Sequence, residues 1–184
     1  MLKKNLIVAF MFTLSASGVF AQSKFFTKTG QVNFFSKASL EDIEAKNKTV
    51  TAVVDSKTGA VQFAIQMKGF EFEKALMQEH FNAKYAESSK FPKSEFKGQI
   101  TNNSEINYAT NGSYMAKVKG KLTIHGVTKD VESTGTVTVK DGKLTIGSVF
   151  NVLVADYNIP IEKIYRDNIA KSVKVTVDCA LTAM

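Results

Sequence analysis

Large apolar residues fall at every second position in run after run of this chain, a period that fits strands with one buried face. Val61, Phe63, Ile65 and Met67 alternate with Gln62, Ala64 and Gln66. Val118, Leu122 and Ile124 alternate with Lys117, Lys119, Lys121 and Thr123. Val131, Ser133, Gly135, Val137 and Val139 form a third run, opposed by Glu132, Thr134, Thr136 and Thr138. Leu144, Ile146, Phe150 and Val152 make a fourth, and Val173, Val175, Val177, Cys179 and Leu181 a fifth. Shorter runs lie at Val32–Phe34 and Val50–Val54.

Turn residues join these runs. Asp141-Gly142 between two alternating runs is a two-residue hairpin signal. Asn111-Gly112 predicts a second hairpin, between Ile106–Tyr108 and Tyr114–Val118, and Asp55–Gly59 a longer loop. Links this short connect antiparallel neighbours, because parallel pairs need a long crossover. One segment changes period: from Glu73 to about Ser88, Met77, Phe81 and Tyr85 fall four apart on one helical face, flanked by Leu76 and His80. Phe91-Pro92 ends that helix, which is predicted to cover an open end or edge of the sheet. The fold class is all-β and antiparallel with one helix between strands. About eight strands can close into a barrel that side chains fill or that holds one small ligand. A β-sandwich competes, and periodicity does not separate the two.

The N-terminus is read apart from the fold. Lys3 and Lys4, an uncharged apolar run from Leu6 to Leu14, and Val19-Phe20-Ala21 before Gln22 have the layout of a secretory signal peptide. The apolar run is shorter than the roughly 20 residues a spanning helix needs. Residues 1–21 are therefore expected to be a leader and 22–184 a single barrel domain, periplasmic or secreted. Loss of Lys3 and Lys4 lowers the net charge of +7 by two. The remaining lysines are scattered, and Arg166 is the only arginine. Nucleic-acid binders cluster their cations and use arginine forks, so a nucleic-acid partner is not expected. The basic exterior is compatible with transient contact with an anionic membrane surface. Cys179, the only cysteine, shares the parity of Val175, Val177 and Leu181 and reads as a small core residue.

Chemistry-bearing motifs are few. His80 and His125 lie in different elements and read as structural hydrogen-bonding residues, with no HExxH or paired-Cys spacing to hold zinc. No Gly-x-Ser-x-Gly elbow occurs, and no carboxylate pair suggests acid–base work, so neither catalytic residues nor a cofactor are expected. The informative feature is 14 Phe with no Trp. Phe and Met line a dry pocket without leaving polar atoms unsatisfied. Phe63, Ile65, Met67, Phe70 and Phe72 succeed one another along one strand and its end, as ordinary core or as pocket wall.

These residues resemble the YceI-like family. The resemblance rests on Gly30-x-Val32-x-Phe34, His80-Phe81, and Lys90-Phe91-Pro92-Lys93-Ser94-Glu95-Phe96. It continues through Val118–Lys129, which contains Lys121-Leu122-Thr123-Ile124-His125-Gly126-Val127-Thr128-Lys129, then Asp156-Tyr157-Asn158-Ile159-Pro160 and the closing valine strand. It implies an extended eight-stranded antiparallel lipocalin-like barrel, exported to the periplasm, holding an isoprenoid-type lipid such as an isoprenoid quinone or polyprenyl phosphate. The family has no agreed catalytic residues to carry over. Two departures stand out: the tight Asp141-Gly142 hairpin, and residues 38–44 in place of a frequent His-containing strand. The lipid-binding residues expected on this reading are Phe63, Ile65, Met67, Phe70, Phe72, Met77, Phe81, Phe96, Leu122 and Ile124. The competing expectation is an envelope interaction module with a packed, ligand-free core.

The leader generates a direct prediction. Protein recovered from its native host has an intact mass that begins at Gln22. A mature species still carrying Lys3 and Lys4 refutes the export reading.

Overall fold

The structure, a computed structural model, describes residues 23–37, 42–161 and 170–184. The expected leader and residues 38–41 of the departing segment lie outside the described residues. The strands are β1 (Lys24–Ser36), β2 (Ile43–Asp55), β3 (Ala60–Gln66), β4 (Glu71–Phe72), β5 (Lys93–Ile100), β6 (Gly112–Ile124), β7 (Val127–Lys140), β8 (Lys143–Leu153) and β9 (Ser172–Ala183). All pairings are antiparallel, in the order β1-β9-β8-β7-β6-β5-β3-β2, and β1 also pairs with β2. That last pairing closes eight strands into a ring, so the barrel is the architecture and the sandwich is not. β4 stands outside the ring, paired with the start of β2 through Ala45↔Phe72 and Lys46↔Glu71.

The hairpin at Asp141-Gly142 forms as the sequence predicts. Both residues adopt positive φ, 51° and 74°, the pair of left-handed conformations that a twisted two-residue hairpin requires and that glycine supplies without steric cost. Asn111-Gly112 does not make a hairpin. Asn111 instead clamps the neighbouring turn: its Nδ2 donates to Asp141 Oδ1 at 3.1 Å and its Oδ1 accepts from the Asp141 N–H at 2.9 Å. Ile106 and Tyr108, expected to be a strand, fold over one end of the barrel, with the Tyr108 ring stacked on Phe25 at 6.4 Å. Burial, helped by the negative charge of Asp55, pushes the Tyr108 phenol up to about 12. Its hydroxyl donates to Asn103 Oδ1 at 2.8 Å, so the buried tip is satisfied.

The helix is shorter than the spacing predicts. α1 runs Ala75–His80, and Phe81–Tyr85 continue as a π-helical turn in which the Ala86 N–H donates to the Phe81 carbonyl at 2.8 Å. Asn82 Nδ2 donates back to the Gln78 carbonyl at 2.9 Å, a side-chain bond that competes with the regular ladder at this point. Met77, Phe81 and Tyr85 still share one side, half-buried over the barrel, while Leu76 points to solvent.

The alternation sorts residues inward and outward as predicted, but the two ends of the barrel differ. At the end covered by Ile106 and Tyr108, Val50, Val54, Val137, Leu144, Cys179 and Leu181 pack with almost no exposed surface. Cys179 is the core residue its neighbours imply. Burial pushes its thiol up to about 11, which keeps it protonated and inert at neutral pH. The opposite end, where α1 sits, is far less filled.

The phase of β8 is testable in a urea melt. Leu144→Ala, at a fully buried inward position, is expected to cost about 2–5 kcal/mol. Val149→Ala, on the outer face and 60% exposed, is expected to stay within about 0.5 kcal/mol. Equal losses would mean that the inward face of β8 is misassigned.

Candidate functional site

Around the middle of the barrel, inward-pointing side chains lack partners on their inner side. Phe63, Phe96, Val118, Ile146, Phe150, Val175 and Val177 all face the interior yet remain only half-buried. They surround a cavity of about 720 Å³. A packed interior leaves few voids larger than a water molecule. At about 30 Å³ for each water-sized group, the space, mouth included, would take on the order of two dozen carbon-sized groups.

All ten residues singled out from the sequence line this cavity: Phe63, Ile65, Met67, Phe70, Phe72, Met77, Phe81, Phe96, Leu122 and Ile124. Ile65, Met67 and Leu122 are themselves well packed and form the firmer parts of the wall, whereas Phe63 and Phe96 border the open space. Phe63 and Phe96 are directly opposed across β3 and β5, with ring centroids 6.3 Å apart. The Phe96 ring lies over Gly98 and Gly120, which face each other across β5 and β6. A Cβ at Gly120 would come within 2.7 Å of the ring and 2.5 Å of the Lys97 carbonyl, so glycine there is what lets the ring lie flat against the wall. The sequence reading missed the walls supplied by β7, β8 and β9. Their signal was present as the same parity in Val131, Ile146, Phe150, Val175 and Val177.

The end beneath α1 is capped by aromatic rings. Phe81 meets Phe72 at 5.1 Å, Phe34 at 5.5 Å and Phe70 at 5.6 Å, and Phe34 meets Phe70 at 5.3 Å. Phe70 and Phe72 do not continue β3. A 3-10 turn at Met67–Gly69 intervenes, and β4 carries Phe72 over to β2. The buried Asn47 fixes that turn: its Nδ2 donates to the Gln66 carbonyl at 2.8 Å, and its Oδ1 accepts from the Thr49 N–H and hydroxyl at 2.9 Å each. Within the wall, the buried Ser94 hydroxyl donates to Met67 Sδ at 3.0 Å.

His125 latches the cap to the barrel rim. Its Nε2 meets Glu87 Oε2 at 2.7 Å, just beyond the π-turn, and its Nδ1 donates to the Tyr157 carbonyl at 3.3 Å. The Phe91 ring packs on the imidazole at 4.4 Å. This is the structural role expected of His125, although its partners lie in other elements rather than in its own turn. His80 lines the cavity. Burial, then the nearby Asp156 charge, raises the Tyr157 phenol above its ordinary range. On the outer face of β6, Lys119 pairs with Glu132 at 2.8 Å and Lys121 with Asp130 at 2.9 Å, while Lys129 lines the cavity. Among the described residues, no three His, Cys, Asp or Glu side chains gather to hold a metal.

The sequence model for the YceI-like domain matches residues 9–181 of the chain. Among solved structures, a polyisoprenoid binding domain from Saccharophagus degradans shares 14% identity with a TM-score of 0.77, covering 89% of this chain and 99% of that one. Burkholderia cenocepacia BcnA shares 19% identity with a TM-score of 0.68, covering 83% and 96%. A Campylobacter jejuni YceI protein shares 16% identity with a TM-score of 0.58, covering 78% and 86%. These likenesses show the same barrel. No curated protein sequence matches the chain.

The two halves of the interior should respond differently to added volume. Val139→Phe, in the packed end, is expected to cost about 1–3 kcal/mol. Val177→Phe, whose ring can enter the cavity, is expected to stay within about 0.5 kcal/mol. Thermal midpoints of lipid-free protein compare the two, and an equal loss would mean that the cavity is closed in solution.

Proposed function

The chain belongs to the YceI-like family, and we propose that its barrel holds the tail of a long isoprenoid lipid in the periplasm, as a binding or carrier protein rather than an enzyme. The observation that carries this reading is the ring of inward-facing apolar side chains left half-buried around about 720 Å³ of space. A fold relative being a polyisoprenoid binding domain adds to it. A purely packed interaction module accounts for the closed end alone.

The walls recognise a tail by its lack of polar atoms and by its length. Each buried CH₂ contributes roughly 0.8 kcal/mol, so about ten carbons give ~8 kcal/mol gross. Association itself costs an estimated 4–15 kcal/mol, so a short isoprenoid gains little and a long one is retained. The head remains at the rim. There Lys129 borders the cavity, and the salt dependence of binding distinguishes a polyprenyl phosphate head from an uncharged quinone head. The leader-like N-terminus supports export.

Organic extraction of protein purified under native conditions, followed by mass spectrometry, is expected to yield an isoprenoid lipid in near-stoichiometric amount. Binding of a long-tailed quinone should change little with salt, whereas a phosphate head would make it salt-sensitive. Protein that repeatedly comes out free of lipid, and takes none up from vesicles, overturns the reading.

A further inference from the structure

The barrel ring is closed, but one of its seams is bonded along only part of its length. β7 and β8 pair through Gly135–Lys140 and Lys143–Ser148, and the ladder stops there. β7 nevertheless continues back to Val127, still bonded to β6, and β8 continues to Leu153, still bonded to β9. Below Gly135 and Ser148 the two strands therefore run on without a ladder between them. At the fork, hydroxyls replace it: Ser148 Oγ donates to the Thr134 carbonyl at 2.8 Å and lies 3.3 Å from Ser133 Oγ.

The cavity lining reports the same opening independently. In an intact strand only alternate residues face the interior. β3 contributes Val61, Phe63 and Ile65 to the cavity in that way, and β9 contributes Val173, Val175 and Val177. β7 contributes Lys129 to Ser133 and Gly135 to Val137, and β8 contributes Ile146 to Ser148 and Phe150 to Leu153, so both parities border the space along the unbonded stretch and around the fork. Both parities can border one space only where it reaches past the strand edge. The two edges differ in character, with apolar side chains exposed on one and charged ones on the other. On β8, the outward-facing Val149 and Leu153 are 60% and 51% exposed. On β7, Lys129, Asp130 and Glu132 line the same opening, with Asp130 and Glu132 paired to Lys121 and Lys119 of β6.

We infer that the isoprenoid chain enters and leaves the barrel sideways, through the unbonded seam between residues 127–134 of β7 and 149–153 of β8. This rests on the reading of the cavity as an isoprenoid site. A lateral route lets a long tail slide in along its length from a membrane surface, with the head never crossing the apolar interior. The His125–Glu87 latch stays in place during exchange, and the Val154–Tyr157 turn, which packs against β7 with Tyr157 buried, is the element that yields.

The test staples the seam. Extending the register of Gly135↔Ser148 places Glu132 opposite Asn151, both exposed on the outer face. Full-length mature protein carrying Glu132→Cys and Asn151→Cys is loaded with long-tailed ubiquinone and cross-linked by a bismaleimide with a cleavable disulfide in its spacer. The buried Cys179 does not compete for the reagent. Transfer to phosphatidylcholine–phosphatidylglycerol vesicles is followed by the quinone absorbance of protein separated from them. The stapled protein should keep its quinone and transfer it more slowly by about tenfold or more, with the original rate restored when the spacer is reduced. Unchanged transfer from stapled protein places the route at the capped end and overturns the inference, while lipid binding itself stands. If the unstapled parent never takes up quinone, the isoprenoid reading fails and the lateral route falls with it.

Discussion

Everything in this molecule depends on the antiparallel ladder closing on itself, β1 bonding to β2 on one side and to β9 on the other. Once eight strands form a ring, alternation stops being a local preference. Every second side chain must enter a shared interior of fixed girth, and what fits there decides whether the barrel is solid or hollow. Here the inward positions near one end are filled by Val50, Val54, Val137, Leu144 and Leu181. Toward the other end they include Gly98, Gly120, Ser133 and Gly135, and the space they leave is bounded by half-buried Phe and Val. A stable packed end and an open end are thus two outcomes of one pattern.

The stability of the open half comes from its rim rather than its centre. The rings of Phe34, Phe70, Phe72 and Phe81 hold the cap to the strands, and such aromatic contacts add about 0.5–1.5 kcal/mol beyond area burial. Polar anchors set where those rings stand: Asn47 beneath the 3-10 turn and His125 between Glu87 and Tyr157. The wall therefore stays in place around a space that side chains do not fill.

Much of this was legible in the sequence. Period-two runs identified the strands and their inward faces, and the positive φ demanded by Asp141-Gly142 identified a hairpin correctly. The ten residues expected to bind lipid, chosen from the alternation together with the family resemblance, border one cavity. What escaped was long-range or competitive. Asn111-Gly112 looks like a hairpin, but the Asn111 side chain bonds to a turn 30 residues away. The helix pattern runs on past His80, but Asn82 bonding to Gln78 diverts the ladder into a π-turn. The pairing of His125 with Glu87 spans 38 residues and has no local signature. Nor does alternation reveal where a ladder ends, so β7 and β8 read as continuous neighbours although their bonding stops at Gly135 and Ser148.

The central claim is that the interior space is matched to a long apolar chain, and a chain-length series tests it most directly. Affinities of lipid-free protein would be measured for isoprenoids that share one uncharged head and differ in the number of isoprene units. The account predicts that affinity climbs with each added unit until on the order of two dozen carbons fill the cavity, and then levels off, since further carbons lie outside the wall. Affinity independent of tail length would contradict it.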